Sequence, residues 1–396
     1  MKITYKNPIV VLLYLLAAIT LIVGVTDVQY LLPFPTLPAL GKYLLAIIIL
    51  FLLLFFSSLQ GIHFRSRDFV IEILFFIQFL LISINMLTTD ELDANIKFSF
   101  TLLASVLVYI LFQQKNIKNM SRIIVNYYKF IFYFLSLVTV TTFLLLYLSM
   151  GDYWGLKDSL KIPIGGSNFI ECWILMVSVF LIMLSKETSD ILKFLIIGFI
   201  AALCTRTKVG LLSWGLLGVF IFYIKRKNIF KLNGRFLIAI IFSIITIGNL
   251  FQWAIQNDFF EYSIQVLEML FSGDQAEIDT AFNGRLELYN LGLRIFSDNI
   301  LIGAGMGKVL AHNYVIEDLA SMGLIGTMSA LFQYIIIING IVSNWRKSIF
   351  ARPALCVLVA ILFNSMYEPC INEMFFNIFF WMILSLGTNK YIGSSF

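Results

Sequence analysis

Residues 40–58, LGKYLLAIIILFLLLFFSS, decide the fold class. The run carries one charged side chain, Lys42, near its start, and has the length of about 20 residues that a helix needs to cross a bilayer. Runs of this kind recur from one end of the chain to the other. Over all 396 residues, 60% are hydrophobic and 13% are charged, and the mean hydropathy is +0.91. Soluble proteins carry about 25% charged residues, so an aqueous environment does not account for this surplus of apolar side chains. A transmembrane β-barrel would show short alternating segments, which this chain lacks. The expected class is all-α: a polytopic integral membrane protein whose single transmembrane domain covers residues 1–396.

About twelve spans can be drawn, at 8–25, 40–58, 69–88, 98–113, 129–149, 168–184, 191–205, 209–224, 236–252, 319–340, 353–368 and 372–388. The first follows Lys2 and Lys6, and no small-x-small cleavage site comes after it, so a retained helix is expected. With the N-terminus inside, 19 of the 28 Lys and Arg residues fall on the inner side and 9 on the outer. The clusters Lys225-Arg226-Lys227 and Arg346-Lys347 are both inside, as the positive-inside pattern requires, and both termini are then cytoplasmic. The formal charge of +5 is dispersed over short loops and points to no nucleic-acid partner. Cys172, Cys204, Cys356 and Cys370 form no CxxC pair, and the chain has two histidines, so no metal site is expected. The cysteines read as small hydrophobes.

The longest hydrophilic segment, 253–318, is external in this topology and carries two short helical patterns. Ile255, Phe259, Tyr262, Val266 and Leu270 share one face of the first, which reads as a helix lying at the membrane surface. The second starts near Gly284 and is expected to bury Leu286, Tyr289, Leu293 and Phe296. No soluble domain of useful size is expected.

Chemistry concentrates in and beside this segment. Arg206 and Lys208 stand in Thr205-Arg-Thr-Lys-Val-Gly210, a turn between two short spans, where two cations need water, headgroups or an anion. Snorkelling to lipid phosphate is one reading, and binding a phosphorylated lipid substrate is the other. Arg285 and Arg294 lie nine residues apart on one helix and so point to opposite faces. Arg294 has Asn290 and Asp298 as surface neighbours, which leaves Arg285 as the substrate contact, its planar guanidinium suited to phosphate oxygens. Gly303-Ala-Gly-Met-Gly307 matches neither nucleotide-binding spacing and reads as a tight turn. His312-Asn313 precedes the tenth span, with Gly323 and Gly326 a few turns deeper where neighbouring helices can approach closely. An imidazole at that entrance can take a proton from a sugar hydroxyl near neutral pH, although an interfacial histidine beside an N-cap is the plainer alternative. Glu317 and Asp318 either assist it or favour the first turn of the helix. His63, beside Arg65 and Arg67, reads as solvated.

These motifs resemble the superfamily of O-antigen ligases and Wzy-type O-antigen polymerases. His312-Asn313, nine residues and then Gly323-Leu-Ile-Gly326 is similar to the family's histidine motif. Gly284-Arg285 followed by Asn299-Ile-Leu-Ile-Gly303-Ala-Gly305 resembles its arginine and glycine turn, without the usual proline. Thr205-Arg-Thr-Lys-Val-Gly210 resembles a third motif, with Lys208 where arginine is usual, and Gly166-Ser167-Asn168 is weakly similar to a fourth. The match covers about residues 200–330; the rest agrees only in hydropathy.

The resemblance implies a metal-independent, inverting glycosyltransferase of the GT-C type with no cofactor. It would act on undecaprenyl-pyrophosphate-linked oligosaccharides at the external face of a bacterial inner membrane, in polysaccharide or lipopolysaccharide synthesis. Arg285, with Arg206, Lys208 and Asn313, would bind the lipid pyrophosphate, and His312 would activate the acceptor hydroxyl. Membrane lipids, a flippase and a chain-length regulator are the implied partners, and no nucleic acid is. A polymerase is the first reading and a ligase acting on lipid A–core or another acceptor is the second, since both share the motifs. A flippase or other transporter would want charged residues deep within its spans, and here Glu72 and Glu171 both lie near span ends.

Overall fold

In lipid an apolar chain closes its backbone hydrogen bonds within its own helices, and irregular backbone survives only where protein surrounds it. A computed structural model describes residues 6–59, 66–88, 90–150, 156–207, 210, 213–218, 272, 274, 277 and 285–393. The helices are α1 (Lys6–Leu21), α2 (Ala39–Ser58), α3 (Ser66–Met86), α4 (Leu92–Phe112), α5 (Ser121–Met150), α6 (Leu156–Ser159), α7 (Ser167–Leu184), α8 (Thr188–Thr205), α9 (Arg285–Asp298), α10 (Tyr314–Ser343), α11 (Ala351–Ser365) and α12 (Met374–Thr388). A parallel pair, β1 (Gly24–Val25) and β2 (Thr36–Leu37), ties down the loop after α1. An antiparallel pair, β3 (Lys161–Ile162) and β4 (Gly165–Gly166), leads into α7.

Seven of the described helices, α2, α3, α4, α5, α7, α8 and α10, are long and apolar enough to cross a membrane, and α1, α11 and α12 are shorter apolar helices. The chain is a multi-pass, all-α membrane protein. These helices correspond to ten of the expected spans. The span 209–224 is described only in part, and 236–252, the helix expected at 255–270, and His63 lie outside the described residues. Val11, Phe55, Phe69, Phe76 and Leu137 stand outward, as side chains do when the surrounding solvent is lipid.

Helix α12 is the post around which the others stand. Each of its residues is buried, and at about 1.5 Å per residue it is shorter than a bilayer core is thick. The Trp381 ring meets Phe75, Tyr109 and Tyr334, while Phe379 meets Tyr127, Tyr128 and Trp173, so aromatic rings from five helices lock onto two faces of α12. At its C-terminal end, Arg67 and Asn344 donate to the Thr388 carbonyl, and Asn389 donates to the Phe112 carbonyl. Its N-terminal end receives the start of α10 through Asn372 and the start of α2 through Tyr43. Helix α3 therefore starts at the end of the bundle where α4, α10 and α12 finish.

The sequence 319–340 reads as one apolar helix, and the structure corrects this. Gly323 lies at φ 65° and ψ −166°, so α10 is broken inside the bundle. The opened backbone is satisfied by the glycine-rich stretch after α9. Ala304 and Gly305 N–H groups donate to the Ala320 and Ser321 carbonyls, and Leu324 and Ile325 N–H groups donate to the Ile300 and Leu301 carbonyls. Gly303-Ala-Gly305 is thus a plug in a helix break rather than a free turn. A Cβ on Gly303 would fall on the Ser321–Met322 peptide, and one on Gly323 would meet the Gly303 nitrogen. Asn85 pins the plug by donating to the Ile302 and Ser321 carbonyls, and Asn95 brackets Met306. Gly326 behaves as expected, letting Leu81 of α3 approach closely.

Helix α9 packs on α10 through Tyr289, Gly292 and Ile295, with Gly292 admitting Ile316. Leu293, expected to be buried, is 46% exposed, because the buried face runs one residue earlier through the glycine. Gly303→Ala is expected to lower the thermal midpoint of the detergent-purified protein by the equivalent of about 1–3 kcal/mol or more, from forced backbone strain. Gly215→Ala, whose added Cβ meets nothing, is expected to leave the midpoint unchanged or slightly raised.

Candidate active site

The polar groups that α10, α9 and α7 carry at one end of the bundle converge on the connection between α11 and α12, Met366-Tyr-Glu-Pro-Cys-Ile-Asn-Glu373. The connection contains a proline and a short 3-10 turn, Cys370–Asn372, and the Cys370 thiol is pushed up to about 11 by burial. Successive carbonyls and carboxylates of this segment face different neighbours. Met366 O accepts from Asn313 Nδ2 at 3.1 Å, and Tyr367 O accepts from an Arg285 Nη at 3.1 Å. Glu368 Oε2 stands 3.4 Å from His312 Nδ1 and accepts from Asn168 Nδ2 at 2.8 Å.

His312 is held rigidly for a residue at a helix entrance. Its backbone is left-handed, φ 51°, an uncommon state for a residue with a Cβ. Its N–H donates to Glu317 Oε1 at 3.0 Å, and Glu317 Oε2 accepts from Asn372. Asn313 caps α10, its Oδ1 accepting from the Val315 and Ile316 N–H groups. Both polar ends of the Asn313 side chain are thereby engaged by protein, so it positions the site rather than reaching out of it. Glu317 likewise braces the His312 backbone. The His312 side chain remains 38% exposed while Glu368 is 11% exposed, so the imidazole stands between a shielded carboxylate and open space.

Arg285 opens α9 and is half-buried, whereas Arg294 is exposed, as expected of opposite faces. Tyr289, one turn further along, lies in the field of Arg285 and Tyr367. Burial raises its phenol above the usual range, and Arg285 opposes the shift. Adjacent Cα atoms are about 3.8 Å apart, so binding to Tyr367 and Glu368 brings Arg285 and His312 to neighbouring points of one segment.

The cationic turn meets α7 one helical turn further along, at Glu171. Arg206 ends α8 in the left-handed conformation, φ 58°, and the Thr205 and Thr207 hydroxyls flank it 3.4 Å apart. A Cβ on Gly210 would strike Thr207 and the Glu171 side chain, so the turn lies against Glu171. Glu171 Oε2 accepts from Asn364 Nδ2 at 2.9 Å, and Asn364 also reaches Ser213. Asn168 and Glu171 are one helical turn apart on α7, so the first contacts the His312 pair while the second contacts the Arg206 turn. Lys208 lies outside the described residues.

Of the residues expected from sequence, the structure gathers Arg285, His312 and Asn313 on one segment and puts the Arg206 turn one helical turn away. It adds Glu368, Asn364 and Asn168, of which only Asn168, in Gly166-Ser167-Asn168, was singled out from the sequence. The signal for the others was available: Asn364, Glu368, Asn372 and Glu373 are a polar interruption between two apolar runs. No family model matches the chain, and neither does any curated protein sequence.

Asn313→Ala removes the α10 cap and the bond to Met366, and is expected to cost about 1–2 kcal/mol of stability. Asn313→Asp keeps the cap and should lose less, as read from chemical unfolding in detergent.

Proposed function

We propose that this protein is a bacterial glycan polymerase of the O-antigen or capsular type, a GT-C-like enzyme with about twelve spans. It transfers an undecaprenyl-pyrophosphate-linked glycan onto the next lipid-linked repeat unit at the external face of the cytoplasmic membrane. The observation that carries this reading is the convergence of His312, its carboxylate partner Glu368 and Arg285 on one buried-edged segment at one end of an apolar bundle. The segregation of Lys and Arg supports the external placement of that end.

The chemistry follows from the pairing. Glu368 faces Nδ1 of His312, which favours the tautomer with its proton there and leaves Nε2 as an acceptor. Nε2 takes the proton of the acceptor sugar hydroxyl as that oxygen bonds to the donor's anomeric carbon. The bond from that carbon to the pyrophosphate oxygen breaks, and configuration inverts. Arg285 has one nitrogen on Tyr367 O, and the other donors of its guanidinium would meet the charge growing on the leaving pyrophosphate. Arg206, and Lys208 after it, supply further positive charge to the lipid phosphate. The His312 backbone strain, Glu317 and the Asn313 cap hold the imidazole at one angle. Nothing in this scheme requires a nucleotide sugar.

His312→Ala and Arg285→Ala are each expected to reduce elongation by at least about 10²-fold while the protein stays in the membrane. Glu368→Gln should retain more activity and shift its pH profile, as a positioning group does. Full-length surface glycan from the His312→Ala strain, seen on a gel, would sink the catalytic assignment. Deletion should leave single repeat units on the acceptor; a bare acceptor with glycan left on the carrier lipid would instead favour a ligase. A cysteine placed at Asp274 should react with an impermeant reagent in spheroplasts if that end is external.

A further inference from the structure

A lysine-lined cavity opens at the same end of the bundle, and nothing in the scheme above uses it. Its volume is about 390 Å³, and it lies between the start of α2, the start of α4, the β3–β4 hairpin and Glu373. Three lysines line it, Lys42, Lys97 and Lys161, against one carboxylate, Glu373. Lys42 is the most constrained, being only 2% exposed. Its ammonium donates to Pro163 O at 2.9 Å and sits 4.5 Å above the Phe375 ring. A buried ammonium is costly unless its donors are used, and an ammonium has three. Lys97 pairs with Asp93 outside the lining, and Lys161 stands exposed on β3. Glu373 is already engaged, accepting from Tyr43 Oη and from the Met374 N–H. The cavity thus presents an excess of positive charge to whatever enters it.

The walls narrow the class of ligand. Tyr30, Tyr43 and Phe375 are aromatic rings, whose faces suit the C–H surface of a sugar, and the hairpin contributes backbone. Small-molecule sites run from about 300 Å³ upward, so this volume takes a sugar ring or two and not a whole lipid-linked glycan. Its distance from the His312 pair is bounded by the chain itself. Glu368 and Glu373 are five residues apart, so their Cα atoms cannot be separated by more than about 18 Å. That is within the reach of a short oligosaccharide. We propose that this cavity binds an acidic sugar of the glycan, a ring whose carboxylate is held by Lys42, Lys97 and Lys161 while its neighbour in the chain extends toward His312. The proposal rests on the glycosyl-transfer reading, and it assigns to that reaction a preference for a carboxylate-bearing repeat unit.

The test uses purified full-length protein in neutral detergent and ligand-observed saturation-transfer NMR. Methyl glucuronoside is the acidic probe and methyl glucoside the neutral one. The glucuronoside should bind measurably tighter than the glucoside, and Lys161→Glu should weaken it about ten-fold, the effect of one charge-assisted hydrogen bond. His312→Ala should bind it as the unaltered protein does. Lys97→Glu gives the same test if Lys161→Glu does not fold, as judged by its thermal midpoint. Equal binding of the two probes, or glucuronoside binding indifferent to both lysine variants, overturns the proposal. So does displacement of the glucuronoside by equimolar phosphatidylglycerol or by inorganic phosphate, which would make the cavity a phosphate or headgroup site. Elongation by His312→Ala with glucuronoside binding intact would instead sink the catalytic role given to His312 and leave the cavity standing.

Discussion

A helix that breaks inside an apolar bundle must find hydrogen-bond partners for every group it releases, and that constraint shapes this molecule. At Gly323 the α10 backbone opens, and the stretch from Ile300 to Gly305 supplies donors and acceptors on both sides of the gap. Leaving such groups bare in lipid would cost several kcal/mol each, by an order-of-magnitude argument. The chain between Gly305 and the α10 cap is therefore tethered at both ends, and His312 rides on the second tether. A residue at the mouth of a loop thus acquires the fixity of a residue on a helix, which the proposed acid–base role would require of it.

The same economy governs the polar hub. Among the described residues, the connection 366–373 gathers side chains from α2, α7, α9 and α10, and its partners come from segments far apart in the chain. Surrounded by apolar helices, these bonds act in a low-dielectric setting where a missing partner is expensive and a complete network is rigid. The aromatic side chains of α12 beneath it anchor the connection to the core. Position and chemistry then have one origin, because the bonds that keep the segment folded also aim Glu368 at the imidazole.

Hydropathy alone located the helices closely: 40–58 against Ala39–Ser58, and 168–184 against Ser167–Leu184. It placed the starts of α4 and α5 too late, because Asp93, Asn95 and Lys97, like Arg122 and Asn126, look too polar for a span, yet both helices extend into the interface there. The α10 break was hidden because Met322-Gly-Leu-Ile-Gly326 is as apolar as any helix, and only the pairing with a stretch twenty residues earlier reveals it. Arg285 and His312 were legible because a cation and an imidazole beside a span are rare. Glu368 was not, because the span drawn over 353–368 ended on it and made it look like a helix terminus. A carboxylate's role depends on what folds back against it, and that partner came from 56 residues earlier in the chain.

The two polar centres at this end of the bundle share one segment, with Glu368 facing the histidine and Glu373 facing the lysine-lined cavity. Neither carboxylate can be repositioned alone, since Cys370–Asn372 is a tight turn between them and Asn372 is bonded to the brace of the His312 backbone. A group bound against Glu373 and Lys42 therefore acts on the same rigid piece of chain that orients the imidazole. Under the proposed glycosyl transfer, binding energy collected in the cavity would be expressed as alignment at the reacting atoms, which is how contacts remote from the chemistry raise a rate rather than merely tighten binding.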